Sequence, residues 1–262
     1  MTQATIRNMV QKNRIDPVKE LLKDYRTTSI LGCERGFIHK GKLYKGLTRK
    51  LKKAFHPQSK ISVKNRIKTP SGSSIENGTR VHRLLYHHFH CKKSEYCDCG
   101  ISQPNRKNEF VENAKKKLIE EKIDIEECEI PILSETLSIA TCLDMIGYIS
   151  KNTKGQKSVI ISIKTGYGPG YNRDSEGWNM QFPFKDLKSC SKEHNQLQGF
   201  AESEILHKDY NLRFDEYLIL YLSKDFKDCK IEKSEDWWNK KSIQEDFYNC
   251  LQKNGKIESK GL

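Results

Sequence analysis

An acid inside one apolar run and a lysine closing another are the residues of this chain best placed to do chemistry. Asp144 lies within Cys142-Leu143-Asp144-Met145-Ile146-Gly147. A carboxylate among such neighbours is costly unless it is paired or binds a metal. Lys164 ends the run Val159-Ile160-Ile161-Ser162-Ile163-Lys164. Strand side chains alternate, so Ser162 and Lys164 share a face, and a hairpin between the two strands can turn that face toward Asp144. The strand before them carries Glu127 and Glu129 on one face. Carboxylates gathered with a lysine near a sheet end suit metal-dependent phosphodiester cleavage. The acids hold Mg²⁺ through oxygen, the ion polarises the phosphate and generates hydroxide, and the lysine stabilises the developing charge. A buried ion pair between Asp144 and Lys164, with no catalytic role, fits the same residues.

The elements that must position these groups follow from hydrophobic period and breakers. A short helix is expected at Pro17 to Tyr25, a turn-prone stretch at Gly32 to Gly46, and a basic helix at Gly46 to Phe55 with Leu47, Leu51 and Phe55 on one face. Thr69-Pro70-Ser71-Gly72-Ser73-Ser74 reads as a linker. Helices are predicted at Ile75 to His90 and around Glu109 to Glu121, then strands at Ile125 to Leu133, Leu137 to Ser150 and Ser158 to Thr165, separated by hairpin-like turns. A Gly/Pro/Asn-rich loop leads to a helix near Ser191 to His207, a strand at Glu216 to Ser223 and a helical tail at Ser234 to Leu251 that packs through Trp237, Trp238, Phe247 and Leu251. This order implies an α/β core with a mixed central sheet flanked by helices. Three regions result: a basic N-terminal extension (1–74), the core (75–225) and a C-terminal tail packing on it (226–262).

The chain has 262 residues, 35% hydrophobic and 31% charged, with a net charge of +13. Residues 1–70 carry 18 Lys and Arg against 4 Asp and Glu, so all of the excess lies in the first quarter. A segment of this kind attracts polyanions, nucleic acid first. No apolar run approaches the ~18–20 residues of a membrane span. With nine cysteines and no secretory signal, the expectation is an intracellular protein in a reducing compartment.

Four motifs in sequence order resemble the RecB-like branch of the PD-(D/E)XK nucleases. They are Gly78-Thr79-Arg80-Val81-His82 at a helix start, Asp144 on a strand, Ile163-Lys164-Thr165-Gly166 on the next, and Gln196-Leu197-Gln198-Gly199-Phe200 on a helix. The resemblance covers about residues 76 to 223 and implies a restriction-endonuclease-like core that hydrolyses DNA with Mg²⁺ or Mn²⁺. It implies that His82 and Asp144 ligate the metal, that Lys164 is the catalytic lysine, and that Gln196 orients substrate or water, with Phe200 in place of the family's Tyr. Glu129 matches the acid often found on the preceding strand. The chain departs from the family two residues before the lysine, where Ser162 stands in place of the second carboxylate. Either the site is inactive, leaving a nuclease fold that binds nucleic acid or serves as a structural protein, or the acid has moved to the following helix. Glu193, three residues before Gln196 on the same helix face, is the candidate for such relocation, with Glu176 as a second.

A further cluster lies between the first two core helices. His87 and Cys91 are one helical turn apart, and Cys97-Asp98-Cys99 follows in a loop. His87, Cys91, Cys97 and Cys99 could close a structural zinc site. Some RecB-like nucleases carry an iron–sulfur cluster; the later cysteines here, Cys190, Cys229 and Cys250, are scattered, and no such cluster is expected. The expected partner is nucleic acid, DNA rather than RNA, with no membrane.

Overall fold

The structure is a computed structural model, and it describes residues 26–30, 34–56, 74–89, 109–151, 155–167, 179–223, 228–234 and 241–256. The helix expected at 17–25, the linker at 69–73, most of the Gly/Pro/Asn-rich loop with Glu176, and Trp237 and Trp238 lie outside the described residues. So do Cys91, Cys97 and Cys99, while His87 sits in the last turn of the helix before them.

The basic stretch read as turn-prone forms strands. β1 (Arg26–Ile30), β2 (Glu34–His39) and β3 (Lys42–Gly46) make an antiparallel meander. Lys40 and Gly41 join β2 to β3 with φ of 49° and 75°, a two-residue hairpin turn with both central residues left-handed. α1 (Leu47–Phe55) follows at once, as its spacing of apolar residues requires. β3 then runs parallel to the start of β5, pairing Lys45 with Ile139 and Gly46 with Ala140.

The remaining elements come in the expected order, apart from one strand, at Cys229–Lys233, that was not expected. α2 (Ser74–Phe89) and α3 (Glu109–Glu120) precede the antiparallel strands β4 (Ile123–Ser134), β5 (Ile139–Lys151) and β6 (Gly155–Tyr167). The helix α4 (Ser191–Tyr210) carries the chain over to β7 (Glu216–Ser223), parallel to β6. β8 (Cys229–Lys233) is antiparallel to β7, and α5 (Lys241–Lys256) ends the described chain. All eight strands belong to one mixed sheet. The protein is therefore α/β with helices on both faces.

Alternation along β6 assigns those faces. Val159, Ile161 and Ile163 pack under Val81, Leu85, Val111 and Leu118 of α2 and α3. Ile160 points the other way, toward the cluster built by α1, α4 and α5. On that side Phe55 stacks on Phe247 at 5.3 Å, and Phe200 meets Phe247 edge-on at 4.8 Å. Such aromatic pairs add about 0.5–1.5 kcal/mol each beyond the area they bury. They tie the N-terminal region, α4 and the tail to one core. The boundary expected near residue 74 is thus one of composition: β3 extends the central sheet and Phe55 is fully buried in its core. The basic character survives on the outer face of α1, where Arg49, Lys52 and Lys53 are exposed. Lys50, on the inner face, is buried and donates to the Leu137 carbonyl, and burial, reinforced by Lys45, pulls its pKa down to about 8.

One glycine lets a helix approach the sheet closely. A Cβ on Gly199 would come within 2.0 Å of the Tyr217 ring, so only glycine lets α4 lie this near β7. Gly78 of α2 lies over the end of β6, where a Cβ would make an ordinary contact of 3.4 Å with Thr165 Oγ1. Among the described residues no helix is long and apolar enough to cross a membrane.

Candidate metal centre

The site begins as an irregularity in the sheet. β4 pairs Cys128 with Met145 and Ile130 with Leu143, which sets Glu129 opposite Asp144. Glu129 has φ 53°, a left-handed backbone in the middle of a strand. The effect is to turn β4 over: Cys128 packs with the α2 side, and Ile130, two residues on, packs with the α4 side. β5 turns in step, with Met145 on the α2 side and Leu143 on the α4 side. The β5–β6 ladder stops at Met145↔Ile161, directly before this point. Asp144 therefore stands where two strands part.

There the carboxylate replaces a backbone acceptor. The Ile163 N–H donates to Asp144 Oδ2 at 2.6 Å, and the Ser162 hydroxyl donates to the same oxygen at 3.0 Å. Asp144 Oδ1 is left to face His82 of α2, 3.3 Å from Nδ1. Glu129 is arranged in the same way. Its Oε2 accepts from the Cys142 thiol at 3.5 Å, and its Oε1 lies 3.3 Å from His82 Nδ1. Each carboxylate thus has one oxygen oriented by a sheet neighbour and the other turned onto one imidazole nitrogen. These three ligand atoms, from His82, Glu129 and Asp144, lie within 4.8 Å of one another. One imidazole nitrogen with two carboxylate oxygens fits Mn²⁺, and Mg²⁺ where water completes the shell.

The local charges follow from this geometry. Burial pushes the His82 imidazole toward its neutral form, but the Asp144 and Glu129 carboxylates outweigh that and hold its pKa above the ordinary value. Burial first, then the same two carboxylates, push the Cys142 thiol well up, so it stays a neutral donor to Glu129.

Lys164 shares its face of β6 with Ser162 and points to the α4 side. Asp144 and Lys164 form no direct ion pair, so the simple pairing open from sequence is absent among the described residues. Instead Lys164 Nζ donates to Gln198 Oε1 at 3.1 Å, and Gln198 Nε2 donates to Glu202 Oε1 at 2.8 Å. Glu202 is 2% exposed. Burial above all, and then the Asp144 charge, raise its pKa to about 8 against the opposing pull of Gln198 and Lys164.

The structure thus brings together His82, Glu129, Asp144 and Lys164. It sets Gln196 and Glu193 elsewhere on α4. At 100° per residue, Gln196 is turned about 200° from Gln198, and Glu193 about 180° from Glu202. Gln196 and Glu193 share the face of Phe200, which packs against Phe247. The glutamine at Lys164 is Gln198, and the helix acid turned to the site is Glu202; both were missed. Their signal was present as a Gln and a Glu one turn apart among Leu197, Phe200 and Ala201.

The left-handed Glu129 allows a direct check. A non-glycine residue in this conformation costs roughly 1–2 kcal/mol. Glu129→Gly and Glu129→Ala both remove the carboxylate, and only glycine adopts the backbone without strain. The glycine variant is expected to be about 1 kcal/mol the more stable in urea unfolding; an alanine variant as stable or better would contradict a left-handed residue 129. Sequence comparison finds no family model that matches this chain and no curated protein that matches it.

Proposed function

We propose that the protein is a metal-dependent nuclease of the RecB-like PD-(D/E)XK type, which hydrolyses phosphodiester bonds in DNA. The observation that carries this reading is the paired orientation of Asp144 and Glu129, each with one oxygen fixed by the sheet and one turned to His82, beside a lysine on the adjoining strand. The antiparallel strands β4 to β6 followed by a helix and a parallel strand are compatible with a restriction-endonuclease-like core. His82, Glu129 and Asp144 would hold Mg²⁺ or Mn²⁺. Bound there, the ion would supply Lewis-acid polarisation of the phosphate and an acidified water.

The chain's own groups do the rest. The Lys164 ammonium opposes the negative charge that grows on the phosphoryl oxygens and the attacking water. Gln198 holds that ammonium by its carbonyl oxygen. Ser162 and the Ile163 amide keep Asp144 from rotating, as outer partners of metal ligands do. Arg49, Lys52 and Lys53, exposed on α1, offer positive charge for the phosphate backbone.

The second reading is an inactive nuclease fold that binds nucleic acid. It is favoured by Ser162, a hydroxyl where a second carboxylate is expected beside Asp144. Cleavage of plasmid DNA with Mn²⁺ separates the two. The nuclease reading expects metal-dependent nicking that falls about 10²–10³-fold in Lys164→Ala, the scale of losing one charge-stabilising group. Salt-sensitive DNA binding with no cleavage by the wild type would support the inactive fold.

A further inference from the structure

From the chain of contacts behind Lys164 we infer that Gln198 and Glu202 are positioning residues for the lysine, Glu202 fixing the Gln198 amide and Gln198 fixing the Lys164 ammonium. The inference rests on reading Lys164 as the charge-stabilising lysine of the proposed nuclease.

Hydrogen-bond direction fixes the role of each group. An ammonium only donates, so the atom of Gln198 that faces Lys164 at 3.1 Å must be the carbonyl oxygen. That leaves the Gln198 NH₂ turned away from the lysine and into the interior, where it needs an acceptor. Glu202 Oε1 is that acceptor, at 2.8 Å, one helical turn along α4. Were the amide reversed, its NH₂ would confront the ammonium donor to donor. Glu202 thereby holds the amide in the one orientation that can bind Lys164.

Location supports the assignment. Glu202 is almost completely buried, and a buried carboxyl is retained only where its partners compensate the loss of water. Gly199 seats this part of α4 against β7, and β7 pairs with β6 through Lys164↔Tyr221. The relay is therefore anchored on a helix and a strand that pack directly together. It also gives the departure at Ser162 a distinct meaning: the helix acid does not replace the missing ligand but steadies the lysine beside it.

Two readouts test this, one of them independent of cleavage. The first is ¹⁵Nζ relaxation of Lys164 in the full chain, its signal assigned by its loss in Lys164→Arg. The second is Mn²⁺ affinity with DNA cleavage. Glu202→Leu and Gln198→Leu, which break the relay at different points, are expected to free the ammonium motion. They should also lower cleavage about 10–100-fold, the scale of a displaced catalytic group, while Mn²⁺ affinity stays within about twofold. Glu202→Gln keeps an acceptor oxygen and is expected to rescue both the ordered ammonium and the rate. An ammonium as ordered in both leucine variants as in wild type would overturn the inference. So would loss of Mn²⁺ binding in Glu202→Gln, which would make Glu202 a ligand. If the wild type does not cleave DNA, the nuclease reading fails, and the relaxation data still decide whether Glu202 and Gln198 hold Lys164.

Discussion

Asp144→Asn should leave the fold intact and remove metal binding, with cleavage falling by about 10³-fold or more. The fold is expected to survive because the substitution keeps the acceptor that the sheet needs. The Ile163 N–H requires an oxygen where Oδ2 now stands, and the asparagine carbonyl supplies it. That same requirement fixes the other end: the NH₂ must then occupy the place of Oδ1, facing His82 and the proposed metal position. A donor there repels a cation, and one of two negative charges is gone. Lewis-acid stabilisation is worth several kcal/mol, and each ~1.4 kcal/mol is tenfold in rate. Unfolding curves, Mn²⁺ calorimetry and plasmid nicking on the one variant check all three parts. An Asp144→Asn protein that retains wild-type Mn²⁺ affinity would mean that Oδ1 is not a ligand atom.

The second large effect is on stability. Glu202 has its pKa raised to about 8, against an ordinary value of 4.5 in the unfolded chain. The native state therefore keeps a proton that the unfolded state gives up. The resulting stability is complete below about pH 4.5 and is lost as the pH rises through 8. At about 1.4 kcal/mol per pH unit, the whole window amounts to roughly 5 kcal/mol. In Glu202→Gln this dependence disappears, since the amide does not titrate. Urea unfolding at pH 5, 7 and 9 should show the variant gaining on the wild type by several kcal/mol across the series. Parallel curves for the two proteins would contradict a buried, protonated Glu202.

How much of this was legible in the sequence depends on what each residue's neighbours reveal. Asp144 and Lys164 stood out because charged groups inside apolar strands need a reason, and strand alternation put Ser162 and Lys164 on one face. Glu129 entered with Glu127 on the preceding strand and His82 through the order of short motifs, and the structure sets both carboxylates, Glu129 and Asp144, against His82. The face of α4 was not legible. From Gln196 to Leu206 the helix is buried on most of its circumference, so no polar stripe marks one side as solvent and another as site. Motif spacing then favoured Gln196 and Glu193, which helical geometry turns away, over Gln198 and Glu202. The left-handed Glu129 had no sequence signal, because a glutamate stands where only a glycine or asparagine would announce a positive φ. Strands β1 to β3 were hidden for a different reason. Leu43 is exposed and Tyr44 buried between Lys42 and Lys45, so no apolar alternation marks the stretch, and its glycines make it read as turn-prone.

Titration of Mn²⁺ into the wild-type chain at pH 6 and pH 8 asks whether His82, Glu129 and Asp144 form one metal site. His82 must lose its proton to bind the ion, and its two carboxylates hold that proton more tightly than usual. One Mn²⁺ per chain is expected at pH 8, with affinity falling toward tenfold per pH unit below the His82 pKa and protons released on binding. No Mn²⁺ binding at pH 8, with or without a DNA oligonucleotide present, would contradict it, as would binding of equal strength at both pH values.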